Sequence, residues 1–218
     1  MQTHALYDTL FGDLPLSDWA RHGDRLDTEP WRGFARAAEA QARGNIAEAC
    51  RNLNEIATAT EYESRHIIEA WNALRELNCP EARRAEPSVL GVVIEASAEG
   101  GAEGHDILAV YADRNAYYLD HAGGAVIWQA ANVKLDEEIK AVLAAAAEIL
   151  PRIGPWQGKR PAPPPKGNVR LNILTPVGLC FGEGPFAAIA RDTIAGPLVK
   201  AGATLVHRLS MLPKETVN

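Results

Sequence analysis

Residues 89–96 read VLGVVIEA, and this run decides how the second part of the chain is organised. The run is short, almost wholly apolar and rich in β-branched residues, which is typical of a strand in the middle of a sheet. Three more strand-like runs follow at residues 107–111, 116–120 and 125–128, and only glycine-rich or polar turns separate them. Because short turns join antiparallel neighbours, the four runs predict an antiparallel meander.

The residues beyond the meander predict a helix, an extended connector and a second pair of strands. Acidic residues open the helix expected at residues 135–150, where the helix dipole favours them. The proline-rich residues 154–168 predict a polyproline-like connector. Strands at residues 169–174 and 179–181 and helices at residues 186–191 and 196–212 complete the order. Since strands occur in runs and do not alternate with helices, we expect an α+β fold with a mainly antiparallel sheet of about six strands.

The part of the chain before the sheet is expected to be helical, because its apolar residues recur every three or four positions. Three such helices are expected, at residues 30–42, 46–56 and 67–77. The chain then divides into a helical part, residues 1–80, a polar linker, residues 81–87, and a sheet part, residues 88–218. We expect the helical part to pack with the sheet, either as a domain of its own or within one continuous domain.

The first two of these helices are joined by a Gly-Asn turn and carry small residues close to it. The pattern consists of Ala38, Ala40, Gly44, Asn45, Glu48, Ala49 and Leu53. It resembles the turn region of a tetratricopeptide (TPR) helix pair. The resemblance covers about one repeat, residues 30–60, whereas a solenoid needs about three repeats for stability. It therefore implies a single TPR-like hairpin packed on the rest of the protein.

Several segments spread over most of the chain carry a second resemblance. They are EPWR from Glu29, ESRH from Glu63, AW from Ala70, IGPW from Ile153 and LTPVGLCFGEGPF from Leu174. With these segments the sequence is similar to a family of bacterial proteins that has no established activity. The resemblance implies no site and no mechanism.

The composition is that of an ordinary globular protein. Of the 218 residues 47% are hydrophobic and 23% are charged, and no apolar run approaches the roughly 20 residues of a membrane helix. No basic segment followed by an apolar one opens the chain, so no secretory signal is expected. The net charge is −6 and no basic stripe is present, which argues against nucleic acid as a partner. We therefore expect a soluble, cytoplasmic protein that binds neither membranes nor nucleic acids.

The cysteines and histidines form no recognisable metal or catalytic motif. Cys50 lies on the apolar face of a predicted helix, which indicates a reduced thiol in the core. Cys180, with His121 or His207, has the residue types of a nucleophilic site, but reactive cysteines usually lie at an electropositive helix start and not within a strand. The six histidines are scattered and lack the spacing of a zinc site. We therefore expect no catalytic residue, no metal and no cofactor.

One candidate binding group is the glycine-rich stretch at residues 182–186, GEGPF, between a predicted strand and a predicted helix. The N–H groups of Gly182 and Gly184, before a helix, are of the kind that holds an anion. However, the segment lacks the Gly-Lys-Ser/Thr ending of a P-loop, and Glu183 would repel a phosphate. A turn that needs glycine for its conformation is the alternative interpretation.

Polar and aromatic side chains on the strands form the second candidate group. Tyr118 and His121 lie in the meander, and Arg170 and Asn172 share one face of the strand that precedes the glycines. Trp128 is expected in the core. Because Tyr and Arg are frequent interface anchors, the outward-facing members predict a binding face. A normal sheet with a wet outer face is the alternative.

The absence of a catalytic set and the TPR-like hairpin favour a non-enzymatic protein–protein interaction module, such as an adaptor, a chaperone-like protein or an immunity-type protein. Its expected partner is another protein, and the sequence leaves the oligomeric state open. The alternative is a small-molecule-binding protein or an enzyme that uses the glycine loop at residues 182–186 with Arg170, Asn172 and Glu183.

Overall fold

A computed structural model of the chain describes residues 7, 9–19, 28–97, 104–129 and 133–212, and it divides into a helical unit and a sheet unit. The helical unit comprises the described part of His4–Pro87 together with Pro176–Gly178, and the sheet unit comprises that of Ser88–Thr175 and Leu179–Asn218. The helices of the first unit and the antiparallel sheet of the second lie in separate stretches of the chain, and the predicted α+β class is confirmed.

Short-range signals define the helices of the helical unit. They are α1 (Leu16–Trp19), α2 (Trp31–Ala42), α3 (Ile46–Ala57), α4 (Ser64–Glu76) and a 3₁₀ turn (Ala82–Arg84). Between α2 and α3, Gly44 adopts a φ of +75°, which glycine adopts without strain. The side chain of Asn45 then accepts a hydrogen bond from the N–H of Glu48 at 3.3 Å and caps α3. The helix pair expected at residues 30–60 is therefore present, while its resemblance to a TPR repeat stays a prediction.

The helical unit has an apolar core of its own. Phe34 of α2, Leu53 of α3 and Leu74 of α4 are fully buried in it. Burying a side chain of this size stabilises a fold by about 1.5–3 kcal/mol. Helices of 12 or 13 residues are marginal alone, so this packing stabilises them more than helix propensity does.

A disulfide links Cys50 in α3 to Cys79, three residues after α4. The expectation of a reduced thiol at Cys50 is therefore wrong. The position of Cys50 on the apolar face of the helix was identified correctly, since Cys50 is buried. The disulfide joins residues that are 29 positions apart. Whether they can pair depends on how α3 packs against α4, and the apolar periodicity of each helix does not reveal that packing.

The sheet unit is built on six antiparallel strands. They are β1 (Gly91–Ser97), β2 (His105–Tyr111), β3 (Ala116–Leu119), β4 (Ala125–Trp128), β5 (Asn168–Thr175) and β6 (Gly178–Pro185). Their order across the sheet is β4-β3-β2-β1-β5-β6. The meander β1–β4 and the hairpin β5–β6 therefore meet where β5 pairs with β1, and β4 and β6 form the two edges.

Helices cover one face of this sheet. They are α5 (Asp136–Ile149) and α7 (Gly196–Ser210), with the short α6 (Phe186–Ile189) and 3₁₀ turns at Val133–Leu135 and Leu150–Arg152. Ile139 of α5 and Leu205 of α7 pack in one apolar cluster with alternate strand residues such as Val92 and Leu171. Trp128 belongs to the same cluster, as expected. None of the helices in the described part of the chain has the length and apolar character of a membrane span.

The glycine-rich segment does not form the expected loop. Strand β6 continues to Pro185, so residues 182–185 are part of the sheet, and only Phe186 begins a helix. The prediction ended the strand at residue 181 because glycine is unfavourable in strands. The hairpin pairing with β5 provides the hydrogen bonds that local propensity does not anticipate.

Candidate functional site

A polar cluster lies on the face of the sheet opposite to α5 and α7, and it consists of the buried residues Glu95, Arg170 and Asn172 and of Glu183, whose side chain is 24% exposed. The register pairs Glu95 of β1 with Arg170 of β5, so both side chains project from this face. Nε of Arg170 donates to Oε2 of Glu183 at 2.9 Å, and its Nη2 donates to the same oxygen. Its Nη1 lies 3.7 Å from Oε2 of Glu95. Arg170 is only 3% exposed and Glu95 is fully buried, so the charges are neutralised inside the protein.

Two asparagines extend this cluster along β5. Nδ2 of Asn172 donates to Oε2 of Glu95 at 2.8 Å and to the carbonyl of Val93 at 2.9 Å. Nδ2 of Asn168 donates to Oε1 of Glu183 at 3.1 Å. The asparagines therefore position the two carboxylates on either side of the guanidinium.

The proline-rich connector covers the cluster. The carbonyl of Pro161 accepts a hydrogen bond from Nη1 of Arg170 at 3.3 Å, and that of Pro164 lies 2.9 Å from Nε2 of His105. The guanidinium of Arg170 also lies over the ring of Phe181, 5.3 Å from its centroid, which is a cation–π contact. The connector predicted at residues 154–168 thus has a definite place on the sheet.

The electrostatics of Glu183 follow from these contacts. Burial opposes ionisation, but the hydrogen bonds from Arg170 and Asn168 and the charge of Arg170 outweigh it. Together they lower the pKa of the Glu183 carboxyl below its ordinary value. Glu183 is therefore an ionised hydrogen-bond partner of Arg170 at neutral pH. This mutual pairing favours a structural role over contact with a small ligand.

The sequence indicated most of this cluster. Arg170, Asn172 and Glu183 were expected near one another, and the structure brings Arg170 and Glu183 into contact and connects Asn172 to Arg170 through Glu95. Glu95 was missed. The available signal was a single acidic residue within the otherwise apolar run at residues 89–96, because a charge on a central strand needs a buried partner.

Tyr118 and His121 do not join this cluster. Tyr118 lies opposite Leu108 of β2 in the sheet. Both side chains belong to the apolar cluster under α5 and α7, so they project from the face opposite to that of Arg170. Only 9% of Tyr118 is exposed, so its expected position on an open binding face is wrong. All four residues of β3 are buried, whereas the prediction assumed that one face of the strand is wet. Burial and the nearby carboxylates Asp106 and Asp120 raise the pKa of the Tyr118 hydroxyl.

His121 is exposed, at the turn after β3. Its main-chain N–H donates to Oδ1 of Asp106 at 2.9 Å, and its Nδ1 lies at the same distance from that oxygen. In the same turn Oδ1 of Asp120 accepts hydrogen bonds from the N–H groups of Ala122 and Gly124. These contacts shape the turn and give His121 a structural partner.

The edge of the sheet at β6 is the other notable feature. Two residues, Pro176 and Val177, connect β5 to β6, so Thr175 lies opposite Gly178 in the hairpin. The hydrogen bond from the N–H of Phe186 to the carbonyl of Gly167 fits the same register between the two strands. In this register the main-chain groups of residues 179, 181, 183 and 185 point away from β5. The carbonyl of Leu179 confirms the direction, since it accepts a hydrogen bond from Trp156 N at 2.7 Å.

The outward N–H and C=O groups of Phe181 and Glu183 remain open, and we call them the β6 edge. Within the part of the chain that the structure describes, no main-chain hydrogen bond from outside the sheet reaches them. Exposed aromatic rings flank them on both sides, with Trp156 48% exposed and Phe186 44% exposed. Trp156 is held by an edge-to-face contact with Phe181, 5.2 Å between centroids. The two predicted glycines, Gly182 and Gly184, therefore lie within an edge strand and not in an anion-binding loop.

No protein-family model, no curated protein and no solved structure matches this chain. The resemblance to a bacterial family and the TPR-like character of α2 and α3 therefore stay predictions.

Proposed function

We propose that the protein is a non-enzymatic protein–protein interaction module that binds an extended segment of another protein at the β6 edge. The observation that supports this most is the pair of residues, Phe181 and Glu183, whose main-chain groups are open between two exposed aromatic rings. Adding a strand to such an edge is a common mode of peptide recognition, in which main-chain hydrogen bonds provide affinity and side-chain contacts provide specificity.

The length of the β6 edge limits the strength of binding. Leu179 already bonds to Trp156, and Pro185 has no N–H, so Phe181 and Glu183 offer about four main-chain hydrogen bonds. At about 1 kcal/mol each they contribute about 4 kcal/mol, which alone corresponds to a Kd near 1 mM. The rings of Trp156 and Phe186 must therefore contribute to any tighter complex, as aromatic anchors do at other interfaces.

Adaptor, chaperone-like and immunity-type proteins all bind other proteins, and the proposal includes all three. The TPR-like hairpin is consistent with it, since helix pairs of that type bind proteins. The proposal includes a cytoplasmic location for the protein. The alternative, a small-molecule site at residues 182–186, has less support, because Arg170 and Glu183 bond to each other and the glycines are in a strand.

The test compares two substitutions of Phe181. Phe181→Ala removes the ring and keeps the outward N–H, whereas Phe181→Pro removes both. Proline is tolerated in edge strands where the N–H faces outward. Each tagged variant is expressed at its native level, and the proteins that co-purify with it are quantified by mass spectrometry. Circular dichroism and thermal melting establish that both variants are folded.

We expect the wild-type chain to recover a near-stoichiometric partner and Phe181→Ala to recover less of it. Phe181→Pro should recover about fivefold to tenfold less than Phe181→Ala, which corresponds to the loss of one hydrogen bond of about 1–1.5 kcal/mol. Recovery of the chain alone would contradict the proposal. Equal recovery of a partner with both folded variants would show that binding occurs elsewhere on the molecule.

A further inference from the structure

Three side chains of the helical unit direct potential metal ligands toward one point. The sulfur atoms of Cys50 and Cys79 and a carboxylate oxygen of Glu81 all lie within 4.8 Å of one another. Both cysteines are buried and Glu81 is half-buried. The three residues all lie within the helical unit.

The end of α4 explains why these ligands meet. Asn78 adopts a φ of 57°, and the N–H of Cys79 then bonds to the carbonyl of Leu74 at 2.9 Å, which ends the helix and turns the chain. This turn places Cys79 against Cys50 of α3, with their Cα atoms 5.8 Å apart. Glu81 follows after one residue, and its own carbonyl bonds to the N–H of Arg84 at 3.0 Å, so the backbone beside the carboxylate is also held.

The carboxylate of Glu81 provides a second, independent observation. Its Oε2 atom is buried and has no hydrogen-bond partner in the described part of the chain. A buried carboxylate oxygen without a donor is unfavourable, and such atoms call for a specific explanation. A cation held by the Glu81 carboxylate and the two sulfur atoms would give this carboxylate a partner.

We propose that Cys50, Cys79 and Glu81 form a metal site, with Zn²⁺ as the best-suited ion, when the disulfide is reduced. Zinc binds thiolates at about 2.3 Å and carboxylate oxygens at about 2.0–2.2 Å in a tetrahedral arrangement, so two sulfurs on one ion lie roughly 3.8 Å apart. The three ligand atoms are already near enough for this after a small rotation of the cysteine side chains. Water completes the fourth position.

The disulfide and the metal site exclude each other. Opening the S–S bond takes two electrons and two protons from a dithiol reductant, which leaves as its own cyclic disulfide. Zn²⁺ then replaces the two thiol protons, which pass to solvent. In a compartment that keeps thiols reduced, the metal-bound form is the expected one, and oxidation releases the ion.

The test uses the full chain without an affinity tag, reduced with a dithiol under anaerobic conditions and then desalted. Co²⁺ is the probe, since thiolate coordination gives it a charge-transfer absorption band, and Zn²⁺ is added afterwards as competitor. Cys50→Ser, Cys79→Ser and Glu81→Gln remove the ligands one at a time. Cys180→Ser and Glu86→Gln are the matched controls, since Cys180 is a cysteine of the sheet unit outside the disulfide and Glu86 is an exposed carboxylate close to Glu81 in the chain.

We expect one Co²⁺ per reduced chain, a band that Zn²⁺ removes, and no band from the oxidised chain. Either cysteine variant should lose the band, and Glu81→Gln should weaken binding by at least the roughly tenfold seen when a supporting partner of a metal ligand is lost. Both controls should bind as the wild type does.

Several outcomes would overturn the proposal. A reduced chain without a thiolate band, or a band that disappears with Cys180→Ser, would refute the site. Equal binding by Glu81→Gln and Glu86→Gln would remove Glu81 from it. Circular dichroism follows the fold throughout, and a reduced chain that loses its helical signal and does not regain it with Zn²⁺ would also refute the proposal.

Discussion

Arg170 illustrates at the residue scale how a charge is kept inside the sheet unit. Moving an ion from water into the protein interior costs several kcal/mol, and an ion pair offsets this only when its geometry is good. Arg170 meets this condition with hydrogen bonds to Glu183 and the carbonyl of Pro161, and with Glu95 at 3.7 Å. Glu95 depends on Arg170 in turn, since it is fully buried.

The first prediction concerns this dependence. Arg170→Met should lower the free energy of unfolding by about 3–5 kcal/mol, because it removes the cation that faces the carboxylates of Glu95 and Glu183. Urea denaturation monitored by circular dichroism measures the change. Arg191→Met, at an exposed position, is the control and should change stability by less than about 0.5 kcal/mol. A small effect of Arg170→Met would show that Glu95 is compensated in another way.

The second prediction concerns pH and Glu183. Its pKa is lower in the folded protein than its ordinary value of 4.5, so the ionised carboxylate stabilises the fold. This contribution is fully present above about pH 4.5 and is lost as the pH falls through the folded-state pKa. The stability difference between the wild type and Glu183→Gln should therefore be constant near neutral pH and shrink in acid. A difference that grows below pH 4.5 would contradict the assignment.

At the scale of elements, the disulfide links α3 to the segment that follows α4. Cys50 and Cys79 are 29 residues apart, so the bond closes a loop that includes most of α3 and all of α4. Closing such a loop restricts the unfolded chain, and the stabilisation grows slowly with loop length.

The third prediction follows from this loop. In metal-free buffer, Cys50→Ala with Cys79→Ala should lower the stability of the oxidised protein by about 3 to 4 kcal/mol. Thermal and urea denaturation measure the loss. Cys180→Ala removes a buried sulfur that is not part of a disulfide, so it shows how much stability is lost through packing alone. If the double variant is no less stable than Cys180→Ala, the disulfide does not contribute to stability.

For the whole molecule, the position of a strand in the sheet determines how well its main chain is protected. β1 has a hydrogen-bonded neighbour on each side, β2 and β5, and its first five residues are buried. β6 has a neighbour on one side alone, and its last residues are partly or fully exposed. Amide exchange reports such differences in local opening.

The fourth prediction uses this contrast. In hydrogen exchange followed by NMR, the amides of Phe181 and Glu183 should exchange several orders of magnitude faster than those of Val92 and Ile94. Gly182 provides an internal control, because its N–H points toward β5 and should be protected. Slow exchange at Phe181 and Glu183 would mean that the β6 edge is covered in solution, and the proposed binding surface would then not be available.

Local signals in the sequence were enough to predict most elements. Apolar periodicity identified α2, α3, α4 and α5, and β-branched runs between short turns identified the meander, because both depend on neighbouring residues. The bounds were least accurate where pairing overrides propensity, as in β6, which continues through Gly182 and Gly184. For the candidate site, alternation correctly placed Arg170 and Asn172 on one face.

The sequence by itself therefore determined the α+β class, the order of helices and strands and the residues that share a face. Only the tertiary structure decided that Glu95 completes the polar cluster, that Tyr118 is buried, that Cys50 pairs with Cys79 and that the β6 edge is open. Each of these depends on which distant segments meet, and one sequence encodes such contacts only through packing and hydrogen bonding of the whole chain. Periodicity shows which way a side chain points, whereas its partner is set by the fold.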